Sequence, residues 1–376
     1  MAESAFSETD RTRMARALEL AARGLGRVEP NPMVGAVVVR GDRVVAEGWH
    51  ARFGGPHAEA VALDRAGPDA RGAALYVTME PCCHAGKTPP CTEAVIAAGV
   101  ARVVAAMSDP FPAVAGRGLA ALRAAGIDVQ VGLMETEARR LNAPFIKRHT
   151  VGRPYVIAKW AQTLDGRLAT AQGDSRWISC PESRRWVHAL RSRMDAILIG
   201  AGTALRDDPL LTVRLDAGDT DYGRRPARIV LDGRLRLPAT SRLAATAGDV
   251  PLVVVTHEGS DPARRRELEA CRATVIEMPC DAGGILLAEL LDELGRRDMT
   301  HLLVEGGPRV LSSFLRAGLV DRLAVFIAPK LAGGDPVHAP PGPAGAAAMA
   351  DALALLRPTF TPIGDDLLVE GVLRDY

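Results

Sequence analysis

Apolar and polar positions follow two repeating patterns along the first 150 residues, and these patterns predict helices and strands in turn. Met14, Leu18, Ala21 and Leu25 recur at helical spacing, which predicts a helix over 9–26. Short apolar runs bounded by glycine and proline predict strands. We predict strands at 34–39, 43–48, 74–78, 100–107 and 127–131, and further helices at 57–63, 92–98 and 118–125. Such alternation is typical of an α/β layered domain.

A second alternation fills the rest of the chain. It predicts strands at 155–158, 196–199, 227–231, 252–256, 274–278, 301–304 and 322–328, and helices at 181–192, 285–294 and 309–317. The polar stretch 147–154, closed by Gly152 and Pro154, predicts a boundary between two domains, 1–148 and 153–376. Residues 338–350 are rich in alanine, glycine and proline, which predicts a loop.

Length and composition favour two globular domains, and the charge balance weighs against a nucleic-acid binder. The chain has 376 residues, which exceeds one typical domain, and it is 48% hydrophobic and 24% charged. Lys and Arg number 18 against 16 Asp and Glu up to His149, and 28 against 29 after it. Neither half has the basic excess that a nucleic-acid binder shows. We therefore expect no nucleic-acid partner.

The N-terminus and the cysteines indicate the compartment. The first 13 residues are polar and charged, without the apolar core of a signal peptide, and no run of 18 apolar residues predicts a membrane span. Three of the six cysteines, Cys82, Cys83 and Cys91, cluster in one segment, which favours a metal site over a disulfide framework. We expect a cytoplasmic protein with no membrane partner.

A candidate zinc site lies in the first quarter of the chain. One histidine and two cysteines, His57, Cys82 and Cys91, are the ligand types of a zinc base deaminase, in which the fourth tetrahedral position is left to water. Zinc lowers the pKa of that water from ~15.7 toward ~7. Glu59 follows the histidine by two residues, so its side chain turns away from the metal and can move protons. Cys91 opens the predicted helix 92–98, whose N-terminus stabilises a thiolate.

Two neighbouring side chains leave alternatives open. Cys83 and His84 are rival ligands by position, and either could close the site as the fourth ligand of a purely structural zinc. The common deaminase signature is P-C-x-x-C, whereas eight residues separate Cys82 from Cys91 here. A nucleic-acid-editing zinc deaminase with an accessory domain is the alternative function, although the charge balance speaks against it.

The eight-residue gap between the cysteines contains Lys87 and paired prolines, and the segment at 29–35 reads EPNPMVG. Together these features closely resemble the deaminase half of the bifunctional riboflavin-biosynthesis deaminase/reductase family. The second half resembles the same family. The whole resemblance runs from about Asp10 to the C-terminus, in the same domain order. The motifs that carry this resemblance are TLDGR at 163–167, DSRWI at 174–178, DDPLLTVR at 207–214 and VEGGP at 304–308.

Two glycine-rich turns are candidates for binding a cofactor phosphate. GAGTAL at 200–205 follows a predicted strand, but its third glycine position holds Leu205, so it is a poor Rossmann fingerprint. EGGP at 305–308 follows a buried strand and opens a helix, where free N–H groups favour an anion. The alternative is a strand-to-helix turn that needs glycine for its backbone alone.

The resemblance implies a fold, two cofactors and a set of site residues. It implies a cytidine-deaminase-like α/β/α domain followed by a dihydrofolate-reductase-like α/β domain, with zinc in the first and NADPH in the second. NADPH would lie along Thr203, Asp207, Gly307, Pro308, Arg309, Val310, Leu311, Ser312 and Ser313, with Ala161 and Trp177 near the nicotinamide. The ribosylamino-pyrimidine of the reductase would be held by Ser175, Arg191, Leu211, Arg214 and Glu305, and Asn31 would bind the pyrimidine of the deaminase.

The implied activities are hydrolytic removal of the 2-amino group of a phosphoribosylaminopyrimidine and NADPH-dependent reduction of its ribosyl group, in a homo-oligomer, a dimer or a tetramer. Arg191 and Arg214 suit a phosphate, because guanidinium is a planar fork of donors. Each could instead be a solvated surface arginine, Lys159 a surface lysine, and Trp177 a core residue. Cys83 and Cys180 stand where the family commonly has Ser or Thr.

Overall fold

The computed structural model describes residues 6–85, 89–112, 114–216, 223–334, 341–342 and 345–376. The chain divides into two compact units, Met1–Gly152 with Tyr376 (unit 1) and Arg153–Asp375 (unit 2). The polar stretch expected at the boundary is helical up to Val151, and Gly152 ends that helix in the left-handed conformation, with φ 79°.

Unit 1 is built on one mixed sheet. Over the residues described, its strands are β1 (Gly35–Arg40), β2 (Arg43–Trp49), β3 (Ala74–Val77), β4 (Arg102–Ala105) and β5 (Asp128–Val131), in the order β2-β1-β3-β4-β5. Its helices are α1 (Glu8–Ala22), α2 (Ala58–Ala66), α3 (Cys91–Ala97), α4 (Arg117–Ala124), α5 (Glu135–Leu141) and α6 (Ala143–Val151). β1 pairs antiparallel with β2 and β3, whereas β3, β4 and β5 are parallel.

Both faces of this sheet are buried, which produces three layers. Val38 of β1 belongs to a core that includes Ala62 of α2 and Leu122 of α4. Its neighbour Val37 belongs to a second core, with Met14 of α1. Because successive side chains of a strand point to opposite faces, helices cover the sheet on both sides. The predicted α/β/α domain is confirmed.

Two glycines let helices approach the sheet at backbone distance. A Cβ built on Gly35 would lie 2.0 Å from the carbonyl oxygen of Ala17 in α1, and one built on Gly48 would lie 2.4 Å from that of Ala58 in α2. Any side chain at either position would therefore push a helix away from the sheet. Gly48 in this way fixes the place of the helix that begins directly after His57.

Unit 2 contains a larger sheet. Its described strands are β6 (Tyr155–Thr163), β7 (Ala196–Gly200), β8 (Ala227–Leu231), β9 (Leu252–His257), β10 (Thr274–Met278), β11 (Cys280–Asp281), β12 (Gly284–Ile285), β13 (His301–Val304), β14 (Arg322–Ala328), β15 (Leu356–Ile363) and β16 (Asp366–Val372). Its helices are α7 (Pro181–Arg191), α8 (Ala201–Asp207), α9 (Arg242–Ala245), α10 (Pro262–Ala270), α11 (Leu287–Arg296) and α12 (Pro308–Arg316).

The main sheet has the order β10-β9-β8-β7-β13-β6-β14-β16-β15, and β11 and β12 form a separate pair. The strands from β10 to β14 in this order are parallel, and β16 and β15 add an antiparallel edge. Residues from β6, β7 and β13 share one core with α11 and α12. The carboxyl ends of β7 and β13, which are neighbours, therefore meet at one edge of the sheet, where open α/β sheets bind ligands.

Some elements lack the periodicity that a sequence pattern needs. α10 buries Leu268 alone among its nine residues, so it carries no apolar stripe. β15 is exposed along almost its whole length and shows no alternation. α5, α6 and β16 were also absent from the prediction. Of the helices in the described ranges, none is long and apolar enough to cross a membrane.

Candidate active sites

Three predicted metal ligands converge in unit 1. His57 is the N-cap of α2, Cys82 follows β3, and Cys91 is the first residue of α3. Their ligand atoms lie within 4.8 Å of one another. Among the residues described, these three side chains form the candidate metal cluster. Nδ1 of His57 is 3.3 Å from Sγ of Cys91 and 3.5 Å from Sγ of Cys82.

The two cysteines shift each other's pKa in opposite directions. Cys91 donates a hydrogen bond to Cys82, which lowers the pKa of the Cys82 thiol, and His57 acts in the same direction. The same hydrogen bond and burial raise the pKa of Cys91. The backbone N–H of Cys91 also donates to Sγ of Cys82, at 3.4 Å. One nitrogen and two sulfur donors in this arrangement fit zinc and leave one tetrahedral position for a non-protein ligand.

The rival ligands lie outside this cluster. Cys83 follows Cys82 directly in the chain. Among the described residues, the candidate metal cluster of His57, Cys82 and Cys91 does not include Cys83. His84 is exposed, and its ring contacts that of Phe111 at 5.8 Å between centroids. Lys87 lies outside the described residues.

Glu59 is the second residue of α2 and has 3% of its surface exposed. Burial, followed by the nearby Cys82, raises the pKa of its carboxyl to about 7. A carboxyl with a pKa near neutrality can both hold and release a proton, which is the property that general acid–base chemistry requires.

Asn31 reaches this cluster through a residue that the sequence did not reveal, His50. Nδ1 of His50 lies 2.9 Å from the carbonyl oxygen of Pro56, and Nε2 lies 3.2 Å from Nδ2 of Asn31. Because a carbonyl only accepts, Nδ1 carries the proton, and Nε2 accepts from the amide of Asn31. Burial lowers the pKa of His50, which keeps the ring neutral. The amide of Asn31 is thus oriented with its oxygen left to accept.

Glu80 is a second residue that the sequence left without a role, and it fastens the loop that carries Cys82. One carboxylate oxygen accepts from the N–H groups of Asp109 and Gly116, at 3.0 and 2.9 Å. The other accepts from Gly118 and Leu119, at 2.8 and 3.2 Å. Two of these donors, in Gly118 and Leu119, belong to the first turn of α4, so this buried carboxylate joins that helix to the metal-ligand loop.

In unit 2 the predicted substrate residues Arg191 and Glu305 form a buried ion pair. Nε and Nη2 of Arg191 donate to the two carboxylate oxygens of Glu305, at 2.6 and 2.8 Å. Nζ of Lys159 lies 3.7 Å from the same carboxylate. Burial alone would raise the pKa of Glu305, but Arg191 and Lys159 lower it to about 2. Lys159 therefore belongs to this buried charge cluster and is not a surface lysine.

This pair limits how Arg191 can contact a phosphate. Nη1 of Arg191 donates to the carbonyl oxygen of Thr212, at 3.3 Å, so three of its five N–H groups are bonded to protein acceptors. The edge formed by Nε and Nη2 is taken by Glu305, and a phosphate could reach only the two N–H groups that remain. Arg214 is exposed, and its backbone N–H donates to Nδ1 of His188, at 3.2 Å.

The glycine-rich turn at 305–308 has the geometry of an anion site. Gly307 is the N-cap of α12, with no side-chain capping bond, and its N–H donates to Oγ1 of Thr203 at 3.0 Å. A Cβ on Gly200 would lie 2.7 Å from Cγ2 of Val310, so bare backbone is needed where the two turns meet. The predicted cofactor residues Thr203 and Gly307 are thereby brought together, and this cradle fits a cofactor phosphate.

The rest of the predicted cofactor segment lies along α12 and α8. Pro308 to Ser313 form the first turns of α12, in which Leu311 is buried. Oγ of Ser312 accepts from the N–H of Gly342, at 3.3 Å, and Oγ of Ser313 donates to the carbonyl of Arg309. Asp207 ends α8, one turn after Thr203 on the same face. Residues 335–340, 343 and 344 lie outside the described part of the chain, including much of the predicted loop 338–350.

The residues predicted to lie near the nicotinamide have fewer contacts with the glycine-rich turn. Trp177 is 62% exposed, and its ring packs on the guanidinium of Arg184 at 4.7 Å, so it is not a core residue. In the described ranges no hydrogen bond or ring contact links it to Thr203 or Gly307. Its neighbour Arg176 donates to the carbonyl oxygen of Asp207, at 2.6 Å, which ties the two segments together.

Three more positions can be placed. Ala161 lies on β6 and packs against the small core around Phe326, while Ser175 is half-buried in the segment before α7. Leu211 is buried and has φ 51°, an uncommon conformation for a residue with a Cβ. Cys180, where Ser or Thr was expected, is the N-cap of α7, and its sulfur accepts from the N–H of Ser183 at 3.5 Å.

Two family profiles match the chain. The cytidine and deoxycytidylate deaminase zinc-binding region matches residues 7–107, and the RibD C-terminal domain matches residues 154–361. The riboflavin biosynthesis protein RibD of Aquifex aeolicus (strain VF5) is 42% identical over 363 residues, covering 96% of this chain and 98% of that protein. The chain belongs to the RibD family.

Other members of the RibD family are also similar to this chain over most of its length. The RibD protein of Escherichia coli (strain K12) is 47% identical over 330 residues, covering 86% of this chain and 88% of that one. The solved structure of Acinetobacter baumannii RibD, form 2, superposes with a TM-score of 0.83 at 36% identity, covering 97% of this chain and 99% of that one. A deaminase/reductase from Thermotoga maritima gives 0.80 at 38% identity, covering 96% and 98%.

RibD membership confirms the predicted fold class and the prediction of a bifunctional deaminase and reductase of riboflavin biosynthesis. It also confirms zinc and NADPH as the expected cofactors. Small pyrimidines are the substrates consistent with this family. The alternative of a nucleic-acid-editing deaminase with an accessory domain is set aside, because RibD relatives match 96% of this chain, including the second unit.

Proposed function

We propose that residues 1–148 form a deaminase that converts 2,5-diamino-6-(5-phosphoribosylamino)pyrimidin-4-one to the corresponding uracil, and that residues 153–376 reduce its ribosyl group with NADPH. The proposal matches what the Thermotoga maritima relative is: a diaminohydroxyphosphoribosylaminopyrimidine deaminase/5-amino-6-(5-phosphoribosylamino)uracil reductase. The observation that carries it is the convergence of His57, Cys82 and Cys91 beside the buried carboxyl of Glu59.

In the deaminase, His57, Cys82 and Cys91 hold the zinc, which when bound supplies a Lewis acid that makes water nucleophilic near neutral pH. Glu59 would be the proton carrier of this site: its carboxylate oxygen would accept a proton from the attacking water and would return protons to the ring and to the leaving ammonia. The amide oxygen of Asn31, oriented by His50, accepts from an N–H group of the pyrimidine. Water replaces the 2-amino group, so one C–O bond forms and one C–N bond breaks.

In the reductase, NADPH supplies the hydride that is delivered to C1′ of the opened ribose. Thr203, Asp207 and the segment 307–313 would hold the cofactor, and Ala161 and Trp177 would lie near its nicotinamide. Ser175, Leu211, Arg214 and Glu305 surround the substrate. Arg191 acts through Glu305: it keeps that carboxylate ionised in a buried place, and with Lys159 it contributes positive potential for the anionic substrate.

We also propose a homo-oligomer, a dimer or a tetramer, in the cytoplasm. β15 lies at the sheet edge, with Phe360 63% and Leu356 41% exposed, and such apolar surface on an edge strand favours contact with another copy. The described cysteines are free thiols, which suits a reducing compartment. Light scattering of the purified chain measures the oligomeric state, and a monomer would contradict this part.

One experiment tests both activities. The purified full chain is given the diaminopyrimidine with or without NADPH, and the products are identified by mass spectrometry. Without NADPH we expect the deaminated ribosylaminouracil, and with NADPH its ribitylamino counterpart. A reduced product that retains the 2-amino group would reverse the proposed order, and an unchanged substrate in both arms would refute the proposal.

A further inference from the structure

The surroundings of Arg214 contain a donor that no part of the proposed mechanism uses. Three N–H groups of Arg191 are occupied, two by Glu305 and one by the carbonyl of Thr212. The edge of Arg191 formed by Nε and Nη2 is therefore closed to a phosphate, and two of its five N–H groups remain. A further donor close to the guanidinium of Arg214 would strengthen the binding of a phosphate there.

His188 lies at the right place to be that donor. It precedes Arg191 by three residues on α7, so the two side chains share a face of the helix. Nδ1 of His188 accepts the backbone N–H of Arg214, at 3.2 Å, and is therefore unprotonated. Burial, with the charges of Arg191 and Arg214, lowers the pKa of this imidazole to about 4, so the ring is neutral and its proton is on Nε2.

The assignment of that proton creates a pair of opposed donors. Nε2 of His188 lies 3.4 Å from Nη2 of Arg214, and both atoms carry hydrogen. Two N–H groups at this separation do not satisfy each other, but a single anionic oxygen can accept from both. Arg191, Arg214 and Lys159 surround this place with positive charge, and Glu305 is the carboxylate that faces them.

We infer that His188 binds the phosphate of the reductase substrate, with its Nε2–H and the guanidinium of Arg214 donating to the same phosphate group. This inference deepens the proposed reductase function and rests on it. His188 has a second effect, because by accepting the backbone N–H of Arg214 it fixes the segment from which that guanidinium extends.

Inorganic phosphate is the probe that does not depend on turnover. The full chain, saturated with NADPH so that the cofactor occupies its own anion sites, is titrated with phosphate by calorimetry. His188→Leu removes both ring nitrogens and is expected to weaken phosphate binding about tenfold, the usual effect of losing one charge-assisted hydrogen bond. His188→Gln, which retains an acceptor and a donor, should recover most of that loss. Equal dissociation constants in wild type and His188→Leu would overturn the inference.

Kinetics supply the second readout. For the phosphorylated aminouracil and its dephosphorylated counterpart, the ratio of the two kcat/KM values measures what the phosphate contributes. His188→Leu should lower this ratio about tenfold, chiefly through KM, and His188→Gln should restore it. A uniform loss with both substrates would instead mean a structural role. If wild type reduces neither compound, the reductase proposal fails, whereas the phosphate titration still decides the role of His188.

Discussion

The two units each bury a glutamate at the candidate active site, and the two carboxyls differ in their charge. Glu59 of unit 1 is 3% exposed, and burial raises the pKa of its carboxyl to about 7. The side chain of Glu305 in unit 2 is 7% exposed, yet its pKa is about 2 because Arg191 and Lys159 outweigh burial. Burial is therefore similar, and the neighbouring charges determine which form the carboxyl takes.

This difference in pKa suits the two carboxyls to two different roles. A carboxyl that titrates near neutrality can carry protons between water and substrate. A carboxylate fixed by two cations stays charged and organises the groups around it. The predictions below test whether the two glutamates are specialised in this way and whether the two sites operate independently.

The largest effect is expected from removing a metal ligand. Cys91→Ser replaces a thiolate by a much weaker zinc ligand, so we expect bound zinc to fall to background and deamination to be lost, while reduction of the uracil substrate persists. Zinc content is measured by elemental mass spectrometry. Cys83→Ser is the matched control and should retain about one zinc per chain. If it loses zinc equally, the site has four protein ligands and is structural.

Next is the proton carrier itself. Glu59→Gln retains the size of the side chain but cannot exchange protons, so we expect a ~10²–10⁴-fold fall in kcat for deamination. Reduction of the already deaminated substrate should remain at the wild-type rate, since unit 2 holds its own site. Parallel assays with the two substrates measure this separation. A simultaneous loss of reduction would mean that the two sites are not independent.

The same substitution at the other glutamate should act mainly through stability. Glu305→Gln leaves the buried cations Arg191 and Lys159 without their partner, at a cost of roughly 3–5 kcal/mol. For a unit of this size that corresponds to a fall in Tm on the order of 10 °C, together with loss of reduction. Calorimetry compares it with Glu59→Gln, which removes no ion pair. Identical Tm values in the two variants would remove the contrast between the glutamates.

The smallest effect concerns the orientation of Asn31. His50→Ala removes the acceptor that fixes this amide, and we expect a cost of about 1–3 kcal/mol, seen as a higher KM for deamination. Asn31→Ala and the double variant complete a cycle. Because His50 is expected to act through Asn31, the double variant should be no worse than Asn31→Ala alone. Strictly additive losses would assign His50 a role of its own.

Short-range patterns in the sequence were enough to predict the fold class and the cluster of candidate metal ligands. His57, Cys82 and Cys91 lie in recognisable local motifs, and most strands coincide with short apolar runs in the sequence. The contributions of His50 and Glu80 could not be predicted, because their partners, such as Leu119 39 residues from Glu80, are set by the tertiary fold. The same limit explains Arg191, whose type suits phosphate but whose fork is taken by Glu305, 114 residues away.

The four amides gathered by Glu80 have a consequence for how unit 1 comes apart. Asp109, Gly116, Gly118 and Leu119 lose their acceptor together when this carboxylate is released. The start of α4 and the segment carrying Cys82 should therefore open as one cooperative unit in hydrogen exchange. A substitution that loosens residues 109–119 would then behave as a defect in metal retention, although it lies far along the chain from any ligand.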